Sequence, residues 1–221
     1  MLPGMTGPIL YVAEVDYPAE HHPLFSDWYA SRHAPDLIRA GFRTATSYRA
    51  VVGGLAVLNV YEVPDTAVFK SEAYKGVLTR DPYGADVRGT SAGKTRAQTA
   101  YLERAATPPD AGPMDADWIS LIRFGVADTE DGALMAWLRG DAQKHLAPFG
   151  VKRVRLGTRS PEKIGAGTHR PRCMILAEWA SQPPPQADLL PLLSRRFGAA
   201  LADAEAYVGW RAYPWPDTKR P

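Results

Sequence analysis

Trp28-Tyr29-Ala30-Ser31-Arg32-His33-Ala34-Pro35-Asp36, running on to Gly41-Phe42, is the stretch on which the reading of this chain turns. It puts two aromatics, a histidine and a helix-interior proline into about two turns of helix. It also has an altered counterpart. Shifting by 109 residues takes Ile9, Val12, Trp28, Leu37, Gly41 and Arg43 to Trp118, Leu121, Trp137, Leu146, Gly150 and Lys152. Apolar meets apolar, Trp meets Trp, Gly meets Gly and base meets base. Ala142 stands where the first copy has His33, His145 stands for Asp36, and Asp141 for Arg32. Glu62 matches Glu178 only at an offset of 116, so the second copy carries extra residues in its hairpin. The chain reads as a fused duplicate with one active cleft and one structural or lid-bearing cleft. A composite site that brings in His145 is the alternative.

Working outward, Ile9–Val15 is rich in β-branched and aromatic residues and is a strand. A loop follows, and a helix opens at Leu24 or Phe25 with Ser26 or Asp27 as cap. It runs to about Ala40 and stops at Gly41, since glycine tolerates the left-handed position there. Pro35 removes a backbone donor and should kink this helix or start a second segment. A strand within Phe42–Val52, a Gly53-Gly54 turn and a strand over Leu55–Val63 make a hairpin. A short helix follows from Asp65 to Tyr74, then a loop over 78–95 and a strand over Arg96–Arg104. Thr107–Pro113 is a linker by composition. The order then repeats: strand Trp118–Phe124, helix Asp128–Phe149 closed by Gly150, strands Val151–Gly157 and Arg172–Trp179, helix Leu189–Leu201, strand Tyr207–Tyr213.

Strand, helix, strand, strand, helix, strand is the split βαβ unit. The expected fold class is α+β, with two ferredoxin-like βαββαβ units in tandem stacked sheet to sheet as an intramolecular α+β barrel. The expected boundaries are 1–106 for the first unit, 107–116 for the linker and 117–221 for the degenerate second unit.

The pattern Trp28-Tyr29-x-x-x-His33-x-Pro35, followed by Gly41-Phe42-x-x-Ala45-x-x-Tyr48, resembles the EthD-like group of the dimeric α+β barrel superfamily over roughly residues 8–104. The resemblance implies a small-molecule cleft beside the first helix. It also implies a choice among the superfamily's activities: quinone-forming monooxygenases, lactone isomerases, polyketide cyclases and haem enzymes, several of which use a histidine as acid or base. Many EthD-like relatives carry an acidic residue before that histidine, where this chain has Arg32.

The residues themselves point the same way. Imidazole trades protons near neutral pH, which makes His33 the first candidate for general acid or base. Asp36 lies three residues on and Tyr29 four residues back, so both share its helix face and complete a catalytic edge. Trp28, Phe42 and Tyr48 would pack the substrate pocket, with Arg32 at its rim. Tyr83 and Arg88, with Lys94, would reach an anionic group from the 78–95 loop. Gly89-Thr90-Ser91-Ala92-Gly93 matches a nucleophile elbow in letters but follows turn sequence rather than a strand. Gly93-Lys94-Thr95 fails as a phosphate loop because Arg88 stands where its first glycine belongs. His21-His22 lacks spaced partners for a metal and is a solvated loop. Arg153, Arg155, Arg159, Arg170 and Arg172 make the second hairpin a solvated basic turn, with His169 exposed in it; an anionic substrate or partner is the alternative.

Composition narrows the classes. A net charge of +2 over 221 residues argues against nucleic acid. No apolar run approaches a membrane span, and the N-terminus lacks a signal-peptide pattern, so the cytoplasm is expected. One cysteine, Cys173, allows no internal disulfide and reads as a buried strand residue. Six Trp, ten Tyr and six Phe suggest an aromatic-lined interior or pocket. The expectation is an enzyme needing no organic cofactor and no metal. It would act through His33 on a small aromatic or cyclic organic substrate, as an isomerase, cyclase or lyase. The alternatives are a monooxygenase, either cofactor-independent or with haem on His145 or His33, and a non-catalytic ligand-binding protein. Two fused chains could pair further as a homodimer.

Overall fold

The computed structural model describes residues 8–79, 81, 96–109, 112–162, 164 and 168–214. In the first half the elements are β1 (Ile9–Val15), α1 (His22–Trp28), a π turn (Tyr29–His33), α2 (Ala34–Arg39), β2 (Thr46–Val52), β3 (Val57–Val63), α3 (Glu72–Thr79) and β4 (Arg96–Thr107). The second half has β5 (Trp118–Gly125), α4 (Asp131–Trp137), a π turn (Leu138–Ala142), α5 (Gln143–Leu146), β6 (Val151–Arg159), β7 (Cys173–Trp179), α6 (Leu190–Phe197) and β8 (Ala202–Tyr213). The expected α+β duplicate is present. Its eight strands close into one antiparallel barrel in the order β1-β3-β2-β8-β5-β7-β6-β4. The β2–β8 and β4–β6 pairings join the halves, so neither sheet keeps an open edge.

Strand alternation sorts the side chains. Ile9, Tyr11 and Ala13 pack outward with the first-half helices, whereas Leu10 and Val12 pack inside the barrel with Leu58, Ile119 and Leu121. The second half has its own outer core, built on Phe124, Leu134, Trp137 and Leu193.

Several local details differ from the sequence expectation. The first helix begins at His22 with Pro23 in its first turn, where a missing N–H costs nothing, so Ser26 and Asp27 lie inside the helix and do not cap it. The break at His33 is not the work of Pro35. The second half has the same π turn at the equivalent residues, Leu138–Ala142, with Lys144 in the place of Pro35, so the bulge belongs to the fold. Asp65 does cap, accepting from Ala67 N at 2.7 Å, but the expected helix splits at Ser71 into a 3-10 turn and α3. The last helix ends early, at Phe197. Gly41 and Gly150 both take positive φ, +106° and +76°, as helix terminators.

The basic second hairpin is not a solvated surface. Arg153 and Arg155 are buried and pair with Glu178 at 2.7 and 2.8 Å, and Arg155 also reaches Glu62 at 2.8 Å and Glu103 at 2.7 Å. Arg170 binds Glu14 at 2.9 Å, and Arg172 binds Asp131 at 2.7 Å. Burial raises the Glu103 carboxyl, and the Arg155 guanidinium offsets part of that rise. Inside the barrel Arg123 clasps Glu14 with both guanidinium nitrogens, and both side chains are almost fully buried. These two residues are 109 apart, so equivalent positions of the two halves carry opposite charges and meet. Among the described residues no helix is long and apolar enough to cross a membrane.

Candidate active site

The first-half cleft lies between the outer face of β1, β3 and β4 and the α1–π–α2 helix. Strand register fixes its floor. Tyr11 faces Tyr61 on β3, and Ala13 lies between Asn59 on β3 and Gln98 on β4. The wall comes from Phe25, Trp28, Tyr29, His33 and Leu37, closed by Phe42 and Tyr74 around about 100 Å³ of space. The rings interlock by stacked and edge contacts. Tyr11 stacks on Tyr61 at 5.6 Å, Phe25 on Tyr29 at 5.5 Å and Phe42 on Tyr74 at 5.6 Å.

His33 is half-buried and lies flat on Trp28, with ring centroids 4.4 Å apart and planes 23° apart. Trp28 is held in turn, because its Nε1–H donates to Asp81 Oδ2 at 2.7 Å. Arg32 reaches the other Asp81 oxygen at 3.5 Å. The indole therefore sets the plane of the imidazole, and Asp81 fixes the indole. Tyr29 lies beside His33 at 5.7 Å. The phenols of Tyr11, Tyr29, Tyr61 and Tyr74 are all raised above their ordinary range by burial, so they stay protonated and act as neutral donors. Among the described residues, Tyr29 Oη and Asn59 Oδ1 are buried without a partner of normal hydrogen-bond geometry, although the Tyr61 phenol is close enough to perturb Tyr29.

The structure gathers Trp28, Tyr29, His33 and Phe42 at this cleft, with Arg32 at its edge. Asp36 is not among the lining residues. Its carboxylate pairs instead with Arg39, one turn on along α2 and exposed. Tyr48 lies on the opposite face of the sheet, inside the barrel, where its hydroxyl donates to Ala116 O at 3.1 Å. Tyr83, Arg88, Ser91 and Lys94 lie outside the described residues. Sequence reasoning missed Tyr11, Tyr61, Tyr74, Asn59, Gln98 and Asp81. The alternation of β1 could have found Tyr11, but Asp81 carries no local signal. His22 Nε2–H donates to the Tyr17 carbonyl oxygen at 2.9 Å, so it is not in a free loop. Burial, then the Arg49 charge, lowers its pKa.

The equivalent cleft of the second half differs. Ser120, Ile122, Ile175, Ala177, Ala206 and Val208 form its floor, the proline run Pro183–Pro185 forms a wall, and the space is about 370 Å³. Haem fits neither cleft. The first offers His33 in a space too small for a porphyrin. The second has no histidine, cysteine or methionine among its lining residues, and Tyr207, which borders it, packs its ring inside the barrel. His145 lies against Phe149 instead and does not line the cavity. No group of three or more metal-ligating side chains occurs among the described residues.

No protein-family profile matches the chain, and no curated protein matches it. Solved structures do. A candidate monooxygenase from Fusobacterium nucleatum superposes with a TM-score of 0.60 at 11% identity, over 95% of this chain and 94% of that one. An anthrone oxidase-like protein gives 0.57 at 14% identity, over 98% of each chain. A candidate monooxygenase from Lactobacillus acidophilus gives 0.56 at 12% identity, over 93% and 94%. At these identities the likeness is one of fold.

Proposed function

We propose that the first-half cleft binds a small, uncharged, planar aromatic or cyclic molecule and that His33 moves a proton on it. One observation carries this reading. Among the described lining residues, His33 is the one side chain whose ordinary titration lies near neutral pH, and the surrounding phenols are held protonated by burial. An imidazole stacked on an anchored indole is a base of fixed direction. Tyr29 and Asn59 offer a donor and an acceptor to a ligand from inside the cleft, where each hydrogen bond gains from the low dielectric. The acid–base step would be enolisation or a related proton shift of an activated C–H or O–H bond, within an isomerase, cyclase or lyase type of reaction. Trp28 and Asp81 act by positioning.

The names of the structural neighbours favour a second reading, in which the same deprotonation activates a phenol toward oxygen. Oxygen uptake with a bound phenol separates the two.

The test uses a cyclic aryl ketone, 2-tetralone, in heavy water, with deuterium wash-in followed by NMR. The wild-type protein should accelerate exchange, and His33→Ala should lose about a hundredfold or more of that acceleration with the fold intact by circular dichroism. Equal exchange in the two proteins would overturn the assignment.

A further inference from the structure

We propose that the second-half cavity is a separate binding site for a neutral, mostly apolar small molecule that carries one hydrogen-bond acceptor. The cavity lies on the strand floor that corresponds to the floor of the His33 cleft, with Pro183–Leu189 rather than α4 as its wall, and the strand registers match the two floors residue by residue. Ser120 faces Ala177 and Val208, as Tyr11 faces Tyr61 and Ala100 in the first half. Ile122 faces Ile175 and Ala206, as Ala13 faces Asn59 and Gln98. The polar and aromatic groups of that floor, Tyr11, Tyr61, Asn59 and Gln98, are thus replaced by Ser120, Ala177, Ile175 and Ala206.

The space is built rather than left over. Three successive prolines, Pro183–Pro185, line it, and their fixed φ angles prevent that wall from folding inward. Its volume, about 370 Å³, falls within the range of small-molecule sites. The floor carries one oriented polar group. Trp179 Nε1–H donates to Ser120 Oγ at 3.1 Å, so the Ser120 hydroxyl hydrogen is left to point elsewhere, and among the described residues no acceptor takes it. Ser120 is partly exposed, into the cavity it lines. A carbonyl or ether oxygen on an apolar body is the chemistry that completes it. A charged ligand is disfavoured, since Asp188 is the one ionisable side chain along the wall apart from Tyr207, whose ring turns away.

The site stands apart from the His33 reading, so either can fail alone. The probe is 6-propionyl-2-dimethylaminonaphthalene, a neutral naphthyl ketone whose emission reports both an apolar site and a hydrogen bond to its carbonyl. Saturable binding at one site per chain is expected, with the methyl signals of Ile122 and Ile175 shifting on titration of the full-length protein. Ser120→Ala should weaken binding about three- to tenfold and blue-shift the bound emission. Ala177→Phe should abolish binding. If that variant fails to fold, Ala206→Leu, a smaller intrusion, takes its place. His33→Ala should leave the affinity unchanged. No saturable binding, or shifts confined to the first-half cleft, would overturn the proposal.

Discussion

Tyr11, Tyr61, Asn59 and Gln98 in one half stand where Ser120, Ala177, Ile175 and Ala206 stand in the other. The backbone hardly registers the exchange. Both halves keep the strand pairing, the π turn in the first long helix, a tryptophan just before it and a glycine that ends the helix with positive φ. The halves differ in the side chains on their cleft floors and at the Glu14–Arg123 seam. The first half has filled its cleft with phenols around one imidazole, and the second has emptied its own. The connecting hairpins differ too. The second-half hairpin is the longer one and reaches across to the first half, where Gln98 N–H donates to Thr168 O at 3.2 Å and Glu162 meets Lys70 at 3.1 Å. The short Gly53-Gly54 hairpin reaches the other way and lies against Ala206 and Tyr207 of β8, with Val52 at the edge of the second cavity.

The barrel interior shows why the halves are no longer interchangeable. Glu14 and Arg123 are equivalent residues and bind each other at the seam. Two copies of the first half would bring two carboxylates together there, out of water. Glu14→Ala should cost about 3–5 kcal/mol in urea unfolding, since Arg123 would be left buried with Glu205 at 3.4 Å as its remaining partner. Replacing both residues by methionine should recover most of the loss, because a buried ion pair and an apolar pair are close in net stability. If the single variant were nearly neutral, the charge exchange would not be what distinguishes the halves.

A smaller effect separates the two helix ends. Gly150, at φ +76°, lies near the left-handed region that an alanine can enter for about 1–2 kcal/mol, whereas Gly41, at +106°, lies beyond it. Gly41→Ala should therefore destabilise more than Gly150→Ala in thermal unfolding. Equal losses would mean that the two terminators are alike. The smallest effect concerns Cys173, which occupies in β7 the place of Val57 in β3 and is fully buried, as expected. Cys173→Val should change stability by less than about 1.5 kcal/mol. Burial pushes the thiol up to about 11, so it should resist maleimide at pH 8 until the protein unfolds. The native state then holds a proton that the unfolded chain releases, so this thiol makes the fold less stable as pH rises from about 9 toward 11. A Cys173→Val protein should show a shallower alkaline decline.

Much of this was legible from the letters. The β1 limits, the two glycine stops, the buried cysteine and the duplicate itself follow from periodicity and spacing. The π turn was not, since Tyr29–His33 and Leu138–Ala142 share no local signal and the bulge arises from how the helix packs on its sheet. The inferred His33–Asp36 pairing failed for another reason, since Asp36 is taken by Arg39 three residues on. Tyr48 was misjudged because which face of β2 points inward depends on its pairing with β3 and β8, and pairing is a tertiary fact. The arginines of the second hairpin looked solvated because their carboxylate partners are distant in sequence. Asp81 escaped notice for the same reason, being 53 residues from the indole it holds.

The division of labour between the clefts can be tested most directly by one ratio: the rate of 2-tetralone deuterium exchange in His33→Gln against that in Ala177→Phe, each relative to wild type. The account predicts a loss of about a hundredfold or more in the first variant and an unchanged rate in the second. Exchange that survives in His33→Gln and collapses in Ala177→Phe would place the chemistry in the wrong half.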